Sequence, residues 1–471
     1  MALRAGLTSR QTSSQLSKST QHYQARPDMS DLHTLQAGVL DECARGDVLA
    51  WSKRTLAAFE AFGMPRELIR KQALQPRPRT IVRATTHDVL RLCNDAQENV
   101  SRHLLVGEPG CGKSMYLLQA VAHALESGWA VLYVPRCIDL INSSSAYMYS
   151  PSFATYLQPD IAAHMLQALL KVNGEILRRI ETEGIQVEGT TVPKGSLEQV
   201  VQRALAEDNA HLRQLSLEHV IRTLAAQKDV PFLVALDDIQ AFFMTSKYRD
   251  PDFVPLEAYE LAVPRALLEL VLAPPKDKES GLQRGAVLTA LSSTHAEFPP
   301  STELLKALQA STSIPDAPVP WPRLFSTVSC RGSATRVPEP HAYSKVHDTH
   351  LAFAQASAFQ PVDVGQRLDR TEAASLLDLL HRERAIWTVP NDEGVYWPKL
   401  VESHGKYCFP FEKSWRSTAH VVAYKIVAHS PSPSALTVHQ PPIPPPDVSI
   451  AVSWLAPSLC ALAHCASCLP Q

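Results

Sequence analysis

The stretch that decides the fold is a complete G-x-x-x-x-G-K-S phosphate-binding loop, Gly107-Glu108-Pro109-Gly110-Cys111-Gly112-Lys113-Ser114. The apolar run 103–106 before it is typical of a buried strand, and residues 115–126 after it carry apolar side chains at helical spacing. This motif requires a strand, a glycine-rich turn and a helix in that order. The sequence therefore predicts a nucleotide-binding loop, or one inherited from a nucleotide-binding ancestor.

The residue types in this loop match the chemistry of phosphate binding. Glycines let backbone N–H groups wrap around phosphate oxygens, and the following helix N-terminus adds partial positive charge. Lys113 is expected to reach the β- and γ-phosphates, and the Ser114 hydroxyl to ligate Mg²⁺. We predict that all eight residues from Gly107 to Ser114 line the nucleotide site.

A second apolar run, 231–236, is typical of a parallel strand covered on both faces, and it ends in Asp237 and Asp238. In P-loop proteins an acid at this position supports Mg²⁺, and we assign that role to Asp237. Asp238 is a candidate catalytic residue that orients a hydrolytic water. Alternatively, it caps the following turn or helix.

Further periodic segments fill in an α/β fold. Residues 130–134 and 285–294 are predicted strands, and the hydroxyls at 292–294 either sense the γ-phosphate or, as we favour, bond to a neighbouring loop. A polar loop is predicted at 245–255. Helices are predicted at 47–62, as a pair within 196–226, at 261–272 and at 370–384.

Composition divides the chain into six segments. We predict a mitochondrial transit peptide at 1–27, an N-terminal extension at 28–95 and a P-loop nucleotide-binding domain at 96–298. A proline-rich connecting loop follows at 299–365 and a small, mostly helical C-terminal domain at 366–428. Residues 429–471 are proline-rich and then apolar with several cysteines, which predicts a disordered tail or an incorrectly predicted gene end.

The N-terminal segment indicates where the protein works. Residues 1–27 are rich in arginine, serine and threonine and contain no acid, which is the signature of mitochondrial import. A disordered polar tail is the alternative. No apolar run is long enough for a membrane span. We expect a location in the mitochondrial matrix.

Charge and cysteine content limit the possible partners. The formal charge is −2, so any contact with nucleic acid must come from local patches. One set of basic residues either touches RNA phosphates or forms a solvated face: Arg66, Arg70, Lys71, Arg77, Arg79 and Arg83. Nine scattered cysteines predict free thiols. The cluster Cys460, His464, Cys465 and Cys468 lacks the second paired half of a zinc module.

The motifs, in this order, resemble a family of mitochondrial small-subunit ribosomal proteins that in animals includes death-associated protein 3, here in a fungal form. The similarity extends from about residue 30 to about 425. It rests on Gly107–Ser114, Pro231–Asp237, Ser246–Phe253, Leu261–Arg265, Gly285–Val287, Glu372–Ala374 and Phe409–Trp415.

This resemblance implies an AAA+-like P-loop NTPase domain, a parallel sheet sandwiched by helices, in the head of the mitochondrial small ribosomal subunit. It implies GTP binding with Mg²⁺, neighbouring ribosomal proteins as partners, and peripheral contact with ribosomal RNA. The family's hydrolysis is weak or uncertain. The chain has no guanine-reading motif of the Asn-Lys-x-Asp type, so its own residues leave GTP or ATP open.

Two functional hypotheses therefore remain. The favoured one is a structural ribosomal protein that holds a nucleotide and supports mitochondrial translation. The alternative is a working AAA+ ATPase or nucleotide-dependent switch of the matrix, which the acidic pair Asp237-Asp238 favours. That activity needs an arginine finger, for which Arg331 and Arg336 are the candidates.

Overall fold

The computed structural model describes residues 29–383, apart from 37, 67, 71–76, 98–99, 188–189, 193, 273–280, 294, 311–324, 331–332, 339–344 and 365–367. Its helices are α1 (Val39–Glu42), α2 (Lys53–Phe62), α3 (Ala84–Asp95), α4 (Lys113–Glu126), α5 (Pro159–Arg179), α6 (Leu197–Ala206), α7 (Ala210–Ala226), α8 (Ala262–Val271), α9 (Thr302–Ala310), α10 (Asp348–Ala356) and α11 (Arg370–Arg382).

The strands are β1 (Val48–Ala50), β2 (Arg79–Ile81), β3 (Ser101–Val106), β4 (Ala130–Val134), β5 (Met148–Ser150), β6 (Thr155–Leu157), β7 (Glu181–Thr182), β8 (Ile185–Val187), β9 (Thr190–Val192), β10 (Gly195–Ser196), β11 (Phe232–Leu236), β12 (Thr245–Arg249), β13 (Pro255–Glu257), β14 (Gly285–Ala290), β15 (Phe325–Cys330), β16 (Ser333–Pro338) and β17 (Gln360–Asp363).

A five-stranded parallel sheet forms the centre of the fold, in the order β17-β3-β14-β11-β4. Every residue of β4, β11 and β14 is buried. These strands are continuous apolar runs because helices cover both faces of a parallel sheet. The predicted α/β class, with a parallel sheet flanked by helices, is confirmed.

The topology brings the candidate site residues to one end of the sheet. Gly107 directly follows β3, and Asp237 directly follows β11, while β14 lies between these two strands. Strand β11 pairs in parallel with β14, from Phe232 opposite Gly285 to Leu236 opposite Thr289. Because parallel strands end at the same edge, the loop and the acid meet where α/β proteins bind ligands.

The outer edge of β4 is covered by a side chain rather than by another strand. Asn173 interrupts the helical geometry of α5 with φ −108° and ψ 15°. Its amide accepts a hydrogen bond from the Val131 N–H and donates one to the Val131 carbonyl, both at 2.8 Å. The kinked helix thus satisfies the backbone of an edge strand that would otherwise be exposed to pairing.

Replacing Asn173 with alanine should lower the free energy of unfolding by about 2 kcal/mol, because two buried backbone groups lose their partners. Urea denaturation measures the loss, and amide exchange at Val131 should speed up. Gln202→Ala, at a side chain on the exposed face of α6, is the control. Equal effects of the two substitutions would contradict the edge-covering role.

The prediction that 299–365 is an irregular connecting loop is wrong. The segment contains α9, α10 and the β15–β16 hairpin, and residues 360–363 form the fifth strand of the central sheet. Its prolines suggested a loop, but Pro361 lies in an edge strand, where one side of the backbone needs no partner. The sheet therefore extends beyond the predicted domain end at 298.

Two local expectations also need correction. The helix expected from 47 begins only at Lys53, because Ser52 caps it by accepting from the Thr55 N–H at 3.0 Å, and Val48–Ala50 is a strand. The loop expected at 245–255 contains β12 and leads into β13, with which β12 pairs as a hairpin. The helix pair within 196–226 is confirmed as α6 and α7, capped by Ser196 and Asn209.

Helix α11 packs against the N-terminal part of the described chain. Its Ala373, Leu376, Leu377 and Leu380 share an apolar cluster with Met29, Leu32, Ala50 and Ile81. A buried ion pair joins Arg79 of β2 to Glu383 just after the helix. The remainder of the predicted C-terminal domain, the transit segment and the tail with Cys460, His464, Cys465 and Cys468 lie outside the described residues.

Each helix among the described residues is too short or too polar to span a bilayer. The cysteines whose side chains are described, Cys43, Cys93, Cys111 and Cys137, are free thiols.

Candidate nucleotide-binding site

The loop between β3 and α4 has a backbone that only glycine adopts easily. Gly107, Gly110 and Gly112 have φ values of 153°, 83° and 103°. A Cβ atom on Gly107 would lie 2.9 Å from the Cys111 Sγ, closer than real contacts allow. Both the left-handed geometry and the tight packing therefore require glycine at the first loop position.

The Lys113 side chain is buried inside the curve of this loop. Its ammonium group donates to the carbonyls of Gly107 and Glu108, both at 2.9 Å, and lies 3.7 Å from the Cys111 Sγ. An ammonium has three N–H donors, and the third is directed to the Cys111 Sγ, a weak acceptor. The loop thereby holds a fixed positive charge at its centre.

The backbone donors of the loop fit an anion. Within the described residues, the N–H groups of Gly112, Lys113 and Ser114 have no hydrogen-bond partner. They belong to the start of α4, where the first N–H groups of a helix have no acceptor in the helix itself. Together with the Lys113 ammonium, they form an arrangement that suits a phosphate.

Ser114, in the first turn of α4, and Asp237, directly after β11, are brought together by the fold. The Ser114 hydroxyl hydrogen-bonds the Asp237 carboxyl, and the Asp238 N–H donates to Asp237 Oδ1 at 3.0 Å. Burial and the neighbouring Asp238 nevertheless raise the pKa of Asp237 to about 7. A hydroxyl and a carboxylate are the oxygen ligands that Mg²⁺ uses alongside substrate phosphates.

This raised pKa predicts a pH-dependent stability. Between the unfolded pKa near 3.8 and the folded pKa near 7, the folded chain keeps a proton on Asp237 that the unfolded chain has lost. The contribution of this group to the free energy of unfolding therefore falls as pH rises through that window, by up to ~1.4 kcal/mol per pH unit. Above about pH 7 it stays constant.

Urea denaturation at pH 5, 6, 7 and 8, without nucleotide or Mg²⁺, measures this effect. Asp237→Asn removes the titrating group, so the variant should gain stability relative to the parent as pH rises. A difference between the two proteins that stays constant from pH 5 to 8 would contradict the buried, neutral Asp237.

Asp238 is held by charged neighbours rather than by a capping bond. Asp238 itself has φ 59° and ψ 41° and precedes a short 3₁₀ helix. Its side chain makes no hydrogen bond that caps this helix, so the capping alternative is wrong. Its Oδ2 lies 3.8 Å from Arg136 Nε and 3.7 Å from His295 Nε2. Burial raises the pKa of Asp238, while His295, Arg136 and the Ser292 hydroxyl act to lower it.

The sequence left two roles open for the hydroxyls after β14, bonding to a neighbouring loop or sensing the γ-phosphate. Ser292 bonds to a neighbouring loop, because its hydroxyl reaches Asp238 and its N–H donates to Gln240 Oε1 at 3.1 Å. The buried Ser293 hydroxyl has no partner within the described chain and so stays a candidate phosphate sensor. Thr294 lies outside the described residues.

A buried pair that sequence reasoning missed holds the loop from behind. Arg83 donates from Nη1 to the Cys111 carbonyl at 2.9 Å, and its Nε lies 3.0 Å from Glu372 Oε2 on α11. Glu372 Oε1 also accepts from the Ala84 N–H at 3.0 Å. The spacing Asp369–Glu372 signals a capping box, which the structure has, but no local pattern indicates a partner 289 residues away.

The basic set proposed for RNA contact is wrong in two members. Arg79 and Arg83 are buried in ion pairs with Glu383 and Glu372. Arg77 donates to the carbonyls of Met29, Ser30 and Leu32. Arg66 and Arg70 are exposed, and Lys71 lies outside the described residues.

The site can therefore hold a phosphate chain and one divalent cation. The described residues contain no cluster of three His, Cys, Asp or Glu side chains that could bind a metal on its own. Mg²⁺ needs no such cluster where nucleotide phosphates supply further ligands. The candidate fingers Arg331 and Arg336 stay untested, because the structure describes neither side chain.

Comparisons with known proteins agree on one set of relatives. The family model of mitochondrial ribosomal death-associated protein 3 matches residues 80–408. A Schizosaccharomyces pombe protein named small ribosomal subunit protein mS29 is 29% identical over 170 residues, which are 35% of this chain and 35% of the relative. Its namesake in Neurospora crassa is 26% identical over 190 residues, 40% of each chain. The Bos taurus namesake is 24% identical over 212 residues, 42% of this chain and 50% of the relative. This chain thus matches between 35% and 50% of the length of these relatives.

Proposed function

Because the chain belongs to the mitochondrial ribosomal death-associated protein 3 family, we propose that it is a structural component of the small subunit of the mitochondrial ribosome. The fungal and bovine relatives are named as proteins of the small ribosomal subunit. In this role the protein supports translation in the matrix and contacts neighbouring small-subunit proteins. Its near-neutral charge and its internally bound arginines support a peripheral contact with ribosomal RNA.

The second half of the proposal is that the loop Gly107–Ser114 binds a purine nucleotide with Mg²⁺, in an AAA+-like P-loop domain. The observation that carries it is the meeting of Ser114 with Asp237 beside the buried Lys113 ammonium. Lys113 and the loop N–H groups would hold the phosphates, and Ser114 and Asp237 would hold the cation. The cation would neutralise phosphate charge and fix the nucleotide in place.

Weak or absent hydrolysis fits the surroundings of Asp238. A general base needs a carboxylate that is free to accept a proton from water. Here the carboxylate accepts a hydrogen bond from Ser292 and lies 3.8 Å from Arg136 and 3.7 Å from His295, and each of these three groups acts to lower its pKa and so its basicity. These contacts support a bound nucleotide that stabilises the fold more than one that is turned over.

Sedimentation tests the ribosomal half of the proposal. The tagged full chain, expressed in mitochondria and separated on a sucrose gradient after a salt wash, should co-migrate with the small ribosomal subunit. Migration only as a free monomer or small ring would overturn it, and the chain would then be assayed as an ATPase.

Equilibrium binding tests the nucleotide half. The purified protein should bind GTP or ATP in a Mg²⁺-dependent manner, and competition between the two establishes the base preference. CTP serves as the control for phosphate binding without purine recognition. Failure of both purine nucleotides to bind, with or without Mg²⁺, would overturn this half alone.

A further inference from the structure

Two hairpins far from the phosphate loop in sequence together form an exposed aromatic surface. The Tyr147 hydroxyl donates to the Arg249 carbonyl at 2.6 Å, and its ring lies 4.8 Å from the ring of Tyr248. These contacts join the β5–β6 segment to the β12–β13 hairpin. The surface consists of Tyr147, Met148, Tyr149, Phe253 and Val254, which are exposed by 38%, 43%, 51%, 77% and 56%.

Phe253 stands at the tip of this surface in a backbone conformation that phenylalanine rarely adopts. Its φ is +63°, in the left-handed region that favours glycine. The turn is fixed because Arg249 Nη1 donates to the Phe253 carbonyl at 2.7 Å, and the Phe253 N–H donates to the Asp250 carbonyl at 3.0 Å. A large apolar ring is thus held outward at a position where the fold itself would favour glycine.

The tyrosines of the β5–β6 segment are held by ring contacts with one another. The Tyr156 ring lies 6.0 Å from that of Tyr147 and 5.1 Å from that of Tyr149. Rigid aromatic side chains lose little conformational entropy on binding, and tyrosine and methionine are enriched where proteins bind one another. The surface therefore has the composition and rigidity of a binding site.

Charge distinguishes between the occupants. The β12–β13 hairpin and the turn after it carry four acids, Asp250, Asp252, Glu257 and Glu260, against Lys247 and Arg249. The β5–β6 segment 147–157 carries no charged residue. RNA phosphates are repelled by such a rim, and a second copy of this chain would bring the same acids face to face.

We propose that this aromatic surface binds a partner protein, whose facing side offers an apolar pocket for Phe253 edged by lysine or arginine. The exposed Asp252, which has no partner among the described residues, faces that basic edge. This inference rests on the proposed ribosomal function for one point only, which is that the partner lies within the small subunit or at its surface. The class of partner follows from the surface itself.

Photo-crosslinking identifies the occupant. Phe253 is replaced by p-benzoylphenylalanine in the full chain expressed in mitochondria, the sample is irradiated, and the linked product is identified by mass spectrometry. The same replacement at exposed Arg91 of α3 controls for random capture. The expected product joins residue 253 to a different protein, at an apolar site next to lysine or arginine.

Other outcomes overturn the proposal. A crosslink to RNA, a crosslink to a second copy of this chain, or labelling at 253 no stronger than at 91 would each do so. Sedimentation distinguishes the failure of one proposal from the failure of the other. If residue 253 crosslinks to a protein but the chain does not co-migrate with the small subunit, the ribosomal role is overturned and the proposed protein-binding surface is supported.

Variants then separate binding from folding. Against the crosslinked partner, Phe253→Gly should weaken binding at least about tenfold, while the melting temperature stays equal or rises because glycine relieves the left-handed backbone. Asp252→Lys should cause a smaller loss of affinity than Phe253→Gly. Because salt screens charges, that loss should be larger at low salt than at high salt. Ile69→Ser, at another exposed apolar residue, is the matched control. Unchanged affinity of Phe253→Gly would overturn the proposal, and a lower melting temperature would show that Phe253 serves the fold.

Discussion

Replacing Glu372 with alanine should lower the free energy of unfolding by about 3–5 kcal/mol, because it leaves the buried Arg83 guanidinium without its counter-charge. The side chains of Arg83 and Glu372 are only 5% and 3% exposed, so water cannot take over the lost contacts. The same substitution removes the acceptor of the Ala84 N–H and one half of the α11 capping box. Urea denaturation monitored by circular dichroism measures the loss.

Two variants on the same helix sharpen this test. Asp378→Ala removes an exposed acid of α11 and should change stability by less than 0.5 kcal/mol, roughly. Glu372→Gln keeps a hydrogen-bond acceptor but loses the charge, so its free energy of unfolding should lie between those of the parent and Glu372→Ala. If Glu372→Ala costs no more than Asp378→Ala, the buried pair does not stabilise the fold.

Glu372→Ala should also weaken binding at the proposed nucleotide site. Arg83 is the link, because it holds the Cys111 carbonyl on the outside of the loop while Glu372 fixes the position of Arg83. Without that support the loop samples more conformations, and nucleotide affinity should fall even under conditions in which the variant is fully folded. Helix α11 thus supports the loop indirectly, through Arg83.

Replacing Lys113 with alanine should reduce nucleotide affinity about 100-fold or more. In the proposed site the ammonium would contribute charge-assisted hydrogen bonds to phosphate, each worth about 1.5–3 kcal/mol, and a factor of ten in affinity corresponds to about 1.4 kcal/mol. The loop also loses the two bonds that Lys113 makes to the Gly107 and Glu108 carbonyls. Isothermal titration with Mg²⁺-GTP and Mg²⁺-ATP measures the change.

Lys247→Ala is the matched control, since it removes a lysine whose side chain is half exposed and only loosely paired with Glu297 at 4.0 Å. It should leave affinity unchanged. An affinity of Lys113→Ala within threefold of the parent would mean that the loop does not bind nucleotide through this residue.

Lys113→Ala also separates the structural role from the switch role. A nucleotide that only stabilises the fold does so by mass action, so the variant should lose thermal stabilisation by added nucleotide yet still enter the small subunit. A nucleotide-dependent switch should instead lose its activity outright. Sedimentation of the variant distinguishes these outcomes.

Much of the central sheet could be predicted from particular short stretches. Residues 231–236 and 130–134 are apolar over their full length, which local pattern alone identifies as buried parallel strands. Residues 360–363 gave no such signal, because a proline interrupts them and they pair only along one side. Their place as the fifth strand depends on contact with β3, more than 250 positions earlier in the chain.

The sequence by itself determined the glycine-rich loop, the helix that follows it and the acid at the end of β11. These features depend on backbone conformation and periodicity within a few residues of each other. Only the tertiary structure decided that Ser114 bonds Asp237, that Arg83 turns inward to Glu372, and that two separate hairpins expose one aromatic surface. Such pairings join positions that are distant in the sequence. The charge or apolarity of a side chain indicates that it needs a partner, but only the folded structure shows which residue that partner is.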